Sequence, residues 1–381
     1  MREMSDVAAM PAKRERMRHV DTLRAIAALL VVWVHAVHAF ARVNPATAEH
    51  GNWFIGAVSR IDVGHVGVVV FFLISGFVIP FSIPRDASAP AGAFLIKRFF
   101  RLFPAYWLSV PLAAATNFWI WGTSFGQREL LMNFTLLQSA FGYQNAEGVY
   151  WTLPVELVYY LICTALLLTA SLFNARRVGL VAAVLFTIFA VLVPMFARPR
   201  PPLDFAGAFW FLNLSIMLWG TLYRSRVDAA ARMQKPGRFE TILFWALLAG
   251  YVVLLPLLAR FTSAAFVLSW LWTYLIGFAI FIVGTRFVRI ETRLTDWLGR
   301  ISYSIYLFHV IVFMAIEWWL LRQPEGSWWR TQSFGLYSAA GLVAVLALST
   351  LVYRFVEKPG MRLGHRLAAA WEQRAERLVA A

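Results

Sequence analysis

Cysteine is nearly absent: Cys163 is the only one in 381 residues. A single thiol excludes a disulfide framework and any cysteine-based zinc site, and no metal ligand set is expected. Charge is scarce as well. Charged residues make up 14% of the chain, against about 25% in a typical soluble domain. That shortfall excludes a string of ordinary soluble domains. Acidic residues are the scarcer sign, 20 against 35 basic ones, which leaves a formal net charge of +15. Internal repeats are missing too. Nor is a cleavable leader expected: Met1 to Val20 is too polar, and no clear small-residue cleavage site follows the first apolar run. That run is expected to act as an uncleaved anchor. What is plentiful is apolar surface. Hydrophobic residues are 60% and aromatic ones 16% of the chain, with a mean hydropathy of +0.64. A chain this apolar has to bury itself, so disorder is excluded.

The few charges are clumped between long uncharged runs. Seven such runs are Leu102 to Gln127, Leu157 to Ala175, Val178 to Ala197, Phe205 to Tyr223, Thr241 to Ala259, Phe261 to Thr285 and Thr331 to Tyr353. Ala25 to Ala41 and Val63 to Pro84 are also uncharged but hold histidines, and Ile301 to Leu321 has the single acid Glu317. Each approaches the ~20 residues that span a ~30 Å hydrocarbon core. Buried helices of a large soluble protein would need a polar face to cover them, and these runs have none. The pattern predicts an all-α integral membrane protein, a bundle of about ten transmembrane helices. With the N-terminus in the cytoplasm, 27 of the 35 Lys and Arg fall on cytoplasmic segments and 8 on outer ones. Such a bias sets orientation, so both termini are expected inside. The basic excess is then explained by topology, and no nucleic-acid partner is expected. Three units follow: a basic tail over 1–19, a transmembrane domain over 20–359, and a C-terminal tail over 360–381. In that last tail Leu363, Leu367, Trp371 and Leu378 lie near helical spacing, as in an interfacial helix binding membrane lipids; a frayed polar tail fits the composition as well.

Ionisable residues inside a span are costly and mark function by default. The first helix carries Arg24 and His35, eleven residues apart. At 100° per residue they return to one face, separated along the axis by about 16 Å. A phosphate held at Arg24 would let a long arm, with the reach of phosphopantetheine, extend toward His35. The plain alternative is that Arg24 snorkels to the interface and His35 bonds a neighbouring helix.

The Arg-x10-His spacing resembles the first-helix signature of the membrane-bound acyltransferase-3 family, whose members O-acylate bacterial glycans and related acceptors. Further segments resemble that family in order. They are Gly67-Val-Val-Val-Phe71-Phe72-Leu-Ile-Ser75-Gly76-Phe77, then Arg98-Phe-Phe-Arg101-Leu-Phe-Pro104-Ala-Tyr106-Trp107, then Trp151-Thr-Leu153-Pro-Val-Glu156. Leu298-Gly299-Arg-Ile-Ser302-Tyr303-Ser304-Ile-Tyr306-Leu307-Phe-His309 and Arg354-Phe-Val-Glu357-Lys-Pro359 resemble the last two helices. The likeness runs from Val20 to Pro359. Two features depart from it. Many relatives carry a polar or charged residue where Val69 stands, and some continue into an outer hydrolase-like domain, whereas this chain is expected to stop after its tenth helix.

Acyl transfer to a hydroxyl needs a base, a stabilised oxyanion and a grip on the donor. His35 is the candidate base, because a neutral imidazole accepts protons near physiological pH; the resemblance implies the same residue, and a transient acyl-carrying role stays open. His38, one turn on, is either a relay or an interface residue. Glu156 is the second candidate catalytic residue, placed to orient His35 or to accept bonds from acceptor hydroxyls; a solvated acid at a helix start is the alternative. Glu317 and Asp62 have weaker cases and fit an interface. Donor binding falls to Arg24, Lys97, Arg98 and Arg101, since guanidinium forks suit phosphate oxygens. Lipid headgroup binding is the competing reading for the same basic stretch. Phe71, Phe72, Ser75, Trp151, Tyr303, Tyr306 and His309 are candidates for the channel or acceptor path, with packing an equal reading for Ser75 and Gly76. Glu357 is expected to pair with Arg354. The function expected is transfer of an acyl group, acetyl for preference, from cytoplasmic acyl-CoA to a glycan or glycolipid hydroxyl, in the bacterial cytoplasmic (inner) membrane. No permanently bound cofactor is expected, acyl-CoA being a substrate, and the oligomeric state is left open. The alternatives are a transporter or flippase for a glycolipid or polyol, against which the lack of repeated halves counts, and an acyltransferase acting on a small molecule such as an antibiotic.

Overall fold

The computed structural model describes residues 17–44, 46–49, 53, 56, 61–83, 89–196, 205–258 and 264–380. Most of the basic N-terminal tail lies outside them, as do Arg60, Arg85, Arg198, Arg200 and Arg260 of the charge count. The described chain is helical and holds no strand among the described residues. Eleven long helices are α1 (Arg18–Phe40), α2 (Val63–Val78), α3 (Pro90–Trp121), α4 (Thr152–Leu168), α5 (Ala175–Phe196), α6 (Phe205–Ala231), α7 (Arg238–Leu258), α8 (Ala264–Arg286), α9 (Arg293–Leu321), α10 (Phe334–Val352) and α11 (Lys358–Ala380). Each uncharged run overlaps one of the first ten. By length and composition, α1, α2, α4, α5, α9 and α10 are long and apolar enough to cross a membrane.

Local chemistry sets the helix ends. Asp62 caps α2, its side chain accepting from the His65 N–H at 2.9 Å, which satisfies an orphan donor of the first turn. Asp62 is thus a cap. Thr292 and Thr295 form a reciprocal capping box on α9. α3 opens with Pro90 and closes on Gly122 at φ 64°, the left-handed position glycine tolerates best. It therefore takes in Lys97, Arg98 and Arg101 as helical residues instead of leaving them in a loop. α4 stops short of Ala175: Ala170 has φ 51°, and the Ser171 N–H turns back to the Leu166 carbonyl at 2.6 Å.

Small residues let the helices cross closely. A methyl group at Gly76 would sit 1.8 Å from the Met217 carbonyl oxygen, and one at Gly220 would sit 2.6 Å from that of Leu73. This reciprocal contact makes the α2–α6 crossing and assigns Gly76 to packing. At Gly67 the same addition would fall 2.4 Å from the Ala27 carbonyl, and at Gly299 2.4 Å from that of Asp21. Thus α1 is held between α2 and α9. Contacts of residue 299 with 21 and of 309 with 35 show α1 and α9 running parallel. Contacts of 64 with 34 and of 67 with 27 show α2 antiparallel to α1.

The end of the chain departs from expectation. Tyr353 to Glu357 forms a π turn that joins α10 to α11. Its wider i→i+5 winding rotates Glu357 away from Arg354. Arg354 is exposed while Glu357 is buried, and Glu357 pairs with Arg101 instead. The segment expected to be amphipathic is helical. It lies on α3, with Gly364 against Phe100 and Trp371 against Gly92, and leaves Leu363, Leu367 and Leu378 exposed.

Candidate active site

One cavity of about 780 Å³, its mouth included, opens between α1, α2, α3, α4 and α9. Its walls carry most of the residues singled out from the sequence. Arg24, Arg98, Arg101 and Glu156 supply charge; Phe71, Phe72 and Ser75 come from α2; Tyr303 and Tyr306 come from α9. Gly76, Trp151, Lys97, His35 and His309 are not on that wall.

The charged end is tightly organised. Arg24 lies 3.8 Å from the Asp21 carboxylate. Arg98 donates to Ser82 Oγ at 2.7 Å and lies over the Phe94 and Tyr160 rings at 5.4 and 5.6 Å. Arg101 donates to Glu357, and Ser304 donates to the other oxygen of the same carboxylate. Its guanidinium sits 5.3 Å above the Tyr303 ring. Glu156 accepts from the Tyr160 hydroxyl at 2.5 Å. These fixed guanidinium groups suit phosphate oxygens.

A second cavity of about 720 Å³ adjoins the first. It is bounded by Ser82, Phe94, Lys97, Met361 and His365, and it shares Arg98 and Arg101 with its neighbour. The two arginines therefore touch both chambers. Lys97 belongs to the second chamber alone, 4.0 Å from the Glu372 carboxylate.

At the other end of the first cavity, Tyr306 donates to the Val149 carbonyl at 2.8 Å and lies 2.8 Å from Thr152 Oγ1. Its ring is 6.1 Å from that of His309. His309 in turn meets His35, Nε2 to Nδ1, at 3.2 Å. The protons on this pair follow from its carbonyl partners, which can only accept. His309 Nδ1 lies 3.0 Å from the Ile305 carbonyl and so carries a hydrogen. Neutral His309 then presents Nε2 as an acceptor. His35 Nδ1 lies 2.9 Å from the Val31 carbonyl and also carries a hydrogen, which it shares between that carbonyl and His309. The Nε2 of neutral His35 is left as the basic nitrogen. The partner that orients His35 is thus His309; Glu156 instead faces the arginines and Tyr160.

His38 is exposed, with its ring 6.3 Å from that of His35. Glu317 is buried on α9. Trp151 stacks on His65 at 5.6 Å and 10°. His65 also lies 3.4 Å from the Tyr274 hydroxyl, a polar contact that sequence reasoning did not single out. The α2 histidine was visible, but its partner stands 209 residues away. Glu147, in the segment before α4, was missed as well. It is buried, and the only local signal is an acid next to Gly148 just before the Trp151 motif.

Comparison with known proteins bears out the family resemblance. A family model described as an acyltransferase domain matches residues 18–354. Nodulation protein 10 of Rhizobium leguminosarum bv. viciae is 28% identical over 381 residues, covering 92% of this chain and 94% of the relative. A Komagataeibacter xylinus protein named as a membrane-bound transacylase, BcsY, is 24% identical over 394 residues, covering 97% of this chain and 89% of the relative. No solved structure matches.

Proposed function

Because the chain belongs to the acyltransferase-3 family of membrane-bound O-acyltransferases, we propose that it moves an acetyl group from cytoplasmic acetyl-CoA to a hydroxyl of a glycan or glycolipid. The observation that carries this reading is the cavity itself. It joins three arginines at one end to Tyr306 at the other, beside the His35–His309 pair. The axial distance from Arg24 to His35, about 16 Å, matches the need of a phosphate-anchored thioester arm. In this scheme the chain crosses the bacterial inner membrane ten times with both ends in the cytoplasm, and the charged end of the cavity faces the cytoplasm.

Arg24, Arg98 and Arg101 hold the donor's phosphates, and Lys97 guides the donor into the second chamber. Glu156 accepts a hydrogen bond from an amide of the pantetheine arm. The apolar walls of Phe71 and Phe72 exclude water from the thioester. His35 Nε2 takes the proton of the acceptor hydroxyl as its oxygen bonds to the thioester carbon. The Nδ1–H of the resulting imidazolium bonds more strongly to His309, since a charged donor makes the stronger hydrogen bond. When the tetrahedral intermediate collapses, the carbon–sulfur bond breaks and His35 returns the proton to the departing thiolate. The relative's name as a transacylase fits transfer between carriers.

The test uses purified protein in lipid nanodiscs with acetyl-CoA, together with mass spectrometry of surface glycans from cells with and without the gene. Wild type should release CoA and leave a base-labile acetyl mass on a glycan. His35→Ala should abolish both at an unchanged level of folded protein. Retained transfer by that variant would sink the assignment.

A further inference from the structure

Coenzyme A has two ends and a pyrophosphate between them. One end is the pantetheine arm with its thiol. The other is adenosine carrying a 3′-phosphate. The two cavities have a matching layout, since Arg98 and Arg101 line both. Under the proposed function the first cavity takes the arm. What the second takes is set by its walls.

The second chamber, about 720 Å³ with its mouth, falls in the range of about 300–1,000 Å³ that encloses a drug-sized ligand. Among the described residues its lining holds three cations, Lys97, Arg98 and Arg101, and no acid. The first cavity, by contrast, has Glu156 among its arginines. Lys97 reaches the Glu372 carboxylate only at 4.0 Å, beyond hydrogen-bond length, so its ammonium keeps hydrogens for an anion. Phe94 supplies an apolar surface, and α11 contributes Met361 and His365. Met361 Sδ accepts from Arg101 at 3.7 Å. His365 Nδ1 lies 2.6 Å from the Met361 carbonyl. A carbonyl only accepts, so Nδ1 carries the hydrogen, and the neutral ring offers Nε2 as an acceptor.

This wall is held in place. A methyl group at Gly364 would sit 2.6 Å from Phe100 Cβ, and one at Gly360 would sit 3.0 Å from Pro104 Cγ, so α11 presses directly on α3. It also lies beyond the residues 18–354 that the acyltransferase model matches. Cations without acids, an apolar surface and a ring acceptor together suit a phosphorylated purine. The phosphate pairs with the ammonium, the base packs on the aromatic ring, and its exocyclic amine needs an acceptor.

We propose that the second chamber binds the nucleotide end of the donor, with Lys97 on the 3′-phosphate and the adenine against Phe94 and Met361, its amine donating to His365 Nε2. The assignment rests on the donor named above and specifies its class. A chamber built for a nucleotide selects free acyl-CoA over an acyl-phosphopantetheine arm on a carrier protein, which has no nucleotide.

The experiment measures, by calorimetry on the full chain in lipid nanodiscs, dissociation constants for CoA, 3′-dephospho-CoA and 4′-phosphopantetheine. Wild type, Lys97→Ala, Lys97→Gln and His365→Ala are compared. A charge-assisted contact is worth about tenfold in affinity and a neutral one about fivefold. Wild type should therefore prefer CoA to dephospho-CoA by about tenfold, and dephospho-CoA to phosphopantetheine by at least as much. Both Lys97 variants should bring the first ratio to within twofold of unity. His365→Ala should instead cut the second ratio about fivefold. Each ratio is taken within one preparation, so a smaller folded fraction cancels. Equal affinities of wild type for the three ligands would overturn the proposal, as would a 3′-phosphate preference that survives in both Lys97 variants. Acetyl transfer is then assayed with acetyl-CoA and with S-acetyl-4′-phosphopantetheine. Equally ready transfer from the two donors would sink this assignment and leave the acyltransfer reading standing. Both binding ratios without any acetyl transfer would sink the acyltransfer reading and leave this assignment standing.

Discussion

Glu147→Gln makes a prediction about stability that is independent of any substrate. Burial pushes the Glu147 carboxyl up from 4.5 to about 7, with the Gly148 N–H pulling weakly the other way. Loss of hydration penalises the charged form, so the folded chain holds this proton more tightly than the unfolded chain does. The stability of the neutral form is present in full below pH 4.5. It falls as pH rises through the window from 4.5 to about 7 and is gone above that window. The slope follows from the folded state binding more protons than the unfolded one. At about 1.36 kcal/mol per pH unit, the window corresponds to about 3 kcal/mol. The glutamine variant is neutral at every pH and escapes this loss. Thermal unfolding followed by tryptophan fluorescence, in one detergent from pH 4 to pH 8.5, measures the difference between the two proteins. Other titrating groups cancel in that difference. The midpoints should nearly coincide at pH 4, diverge through the window, and hold a constant gap of a few degrees above pH 8, with the variant the more stable. Parallel curves, or a variant less stable at high pH, would refute a carboxyl at this position whose affinity for its proton is raised by burial.

Three further outcomes follow from the packing and the pairs. Gly76→Ala places a methyl group 1.8 Å from the Met217 carbonyl; overpacking of this kind costs about 1–3 kcal/mol or more, and detergent-extracted protein should lose its monodisperse chromatographic peak. Glu357→Leu leaves Arg101 without its charge partner and Ser304 without its acceptor; breaking a buried pair costs about 3 kcal/mol, which thermal unfolding would register, with Glu357→Gln recovering part of it. His309→Phe removes the acceptor from His35 Nδ1 and should cut acetyl transfer at least tenfold while leaving CoA binding within twofold. An equal loss of both would argue against an orienting role.

What the sequence reveals depends on the reach of each interaction. Arg24 and His35 lie on one helix, so periodicity alone relates them, and Arg24 is on the cavity wall while His35 stands behind Tyr306 and His309. The uncharged runs mark helices because hydrocarbon-length apolar segments have few other structures open to them. Lys97 and Arg101, four apart, do share a chamber. Long-range pairs are different. His309 meets His35 across 274 residues, and Glu357 finds Arg101 across 256. Neither follows from spacing, and the second was misassigned because a π turn broke the α-helical register on which the Arg354 pairing rested. Glu147 was invisible for another reason. Side chains of Asn117, Asn133 and Tyr306 pin the non-periodic segment on either side of it, and no local pattern announces that long-range arrangement.

The arginine pair shared by the two chambers has a consequence for the cell's ion gradients. Under the proposed function a substrate arm enters the bilayer, and such a protein must remain ion-tight when idle. Arg98 and Arg101 stand on the walls of both chambers, so a hydronium or sodium ion moving directly from one to the other would meet both guanidiniums. Fixed positive charge repels cations, here chiefly that of Arg98, since Arg101 is paired with Glu357. The same guanidiniums attract anions, so an incoming phosphate plugs the gap that it opens. Selective entry and electrical insulation are then two results of one pair of side chains, and neutralising that pair should make the resting protein a proton leak.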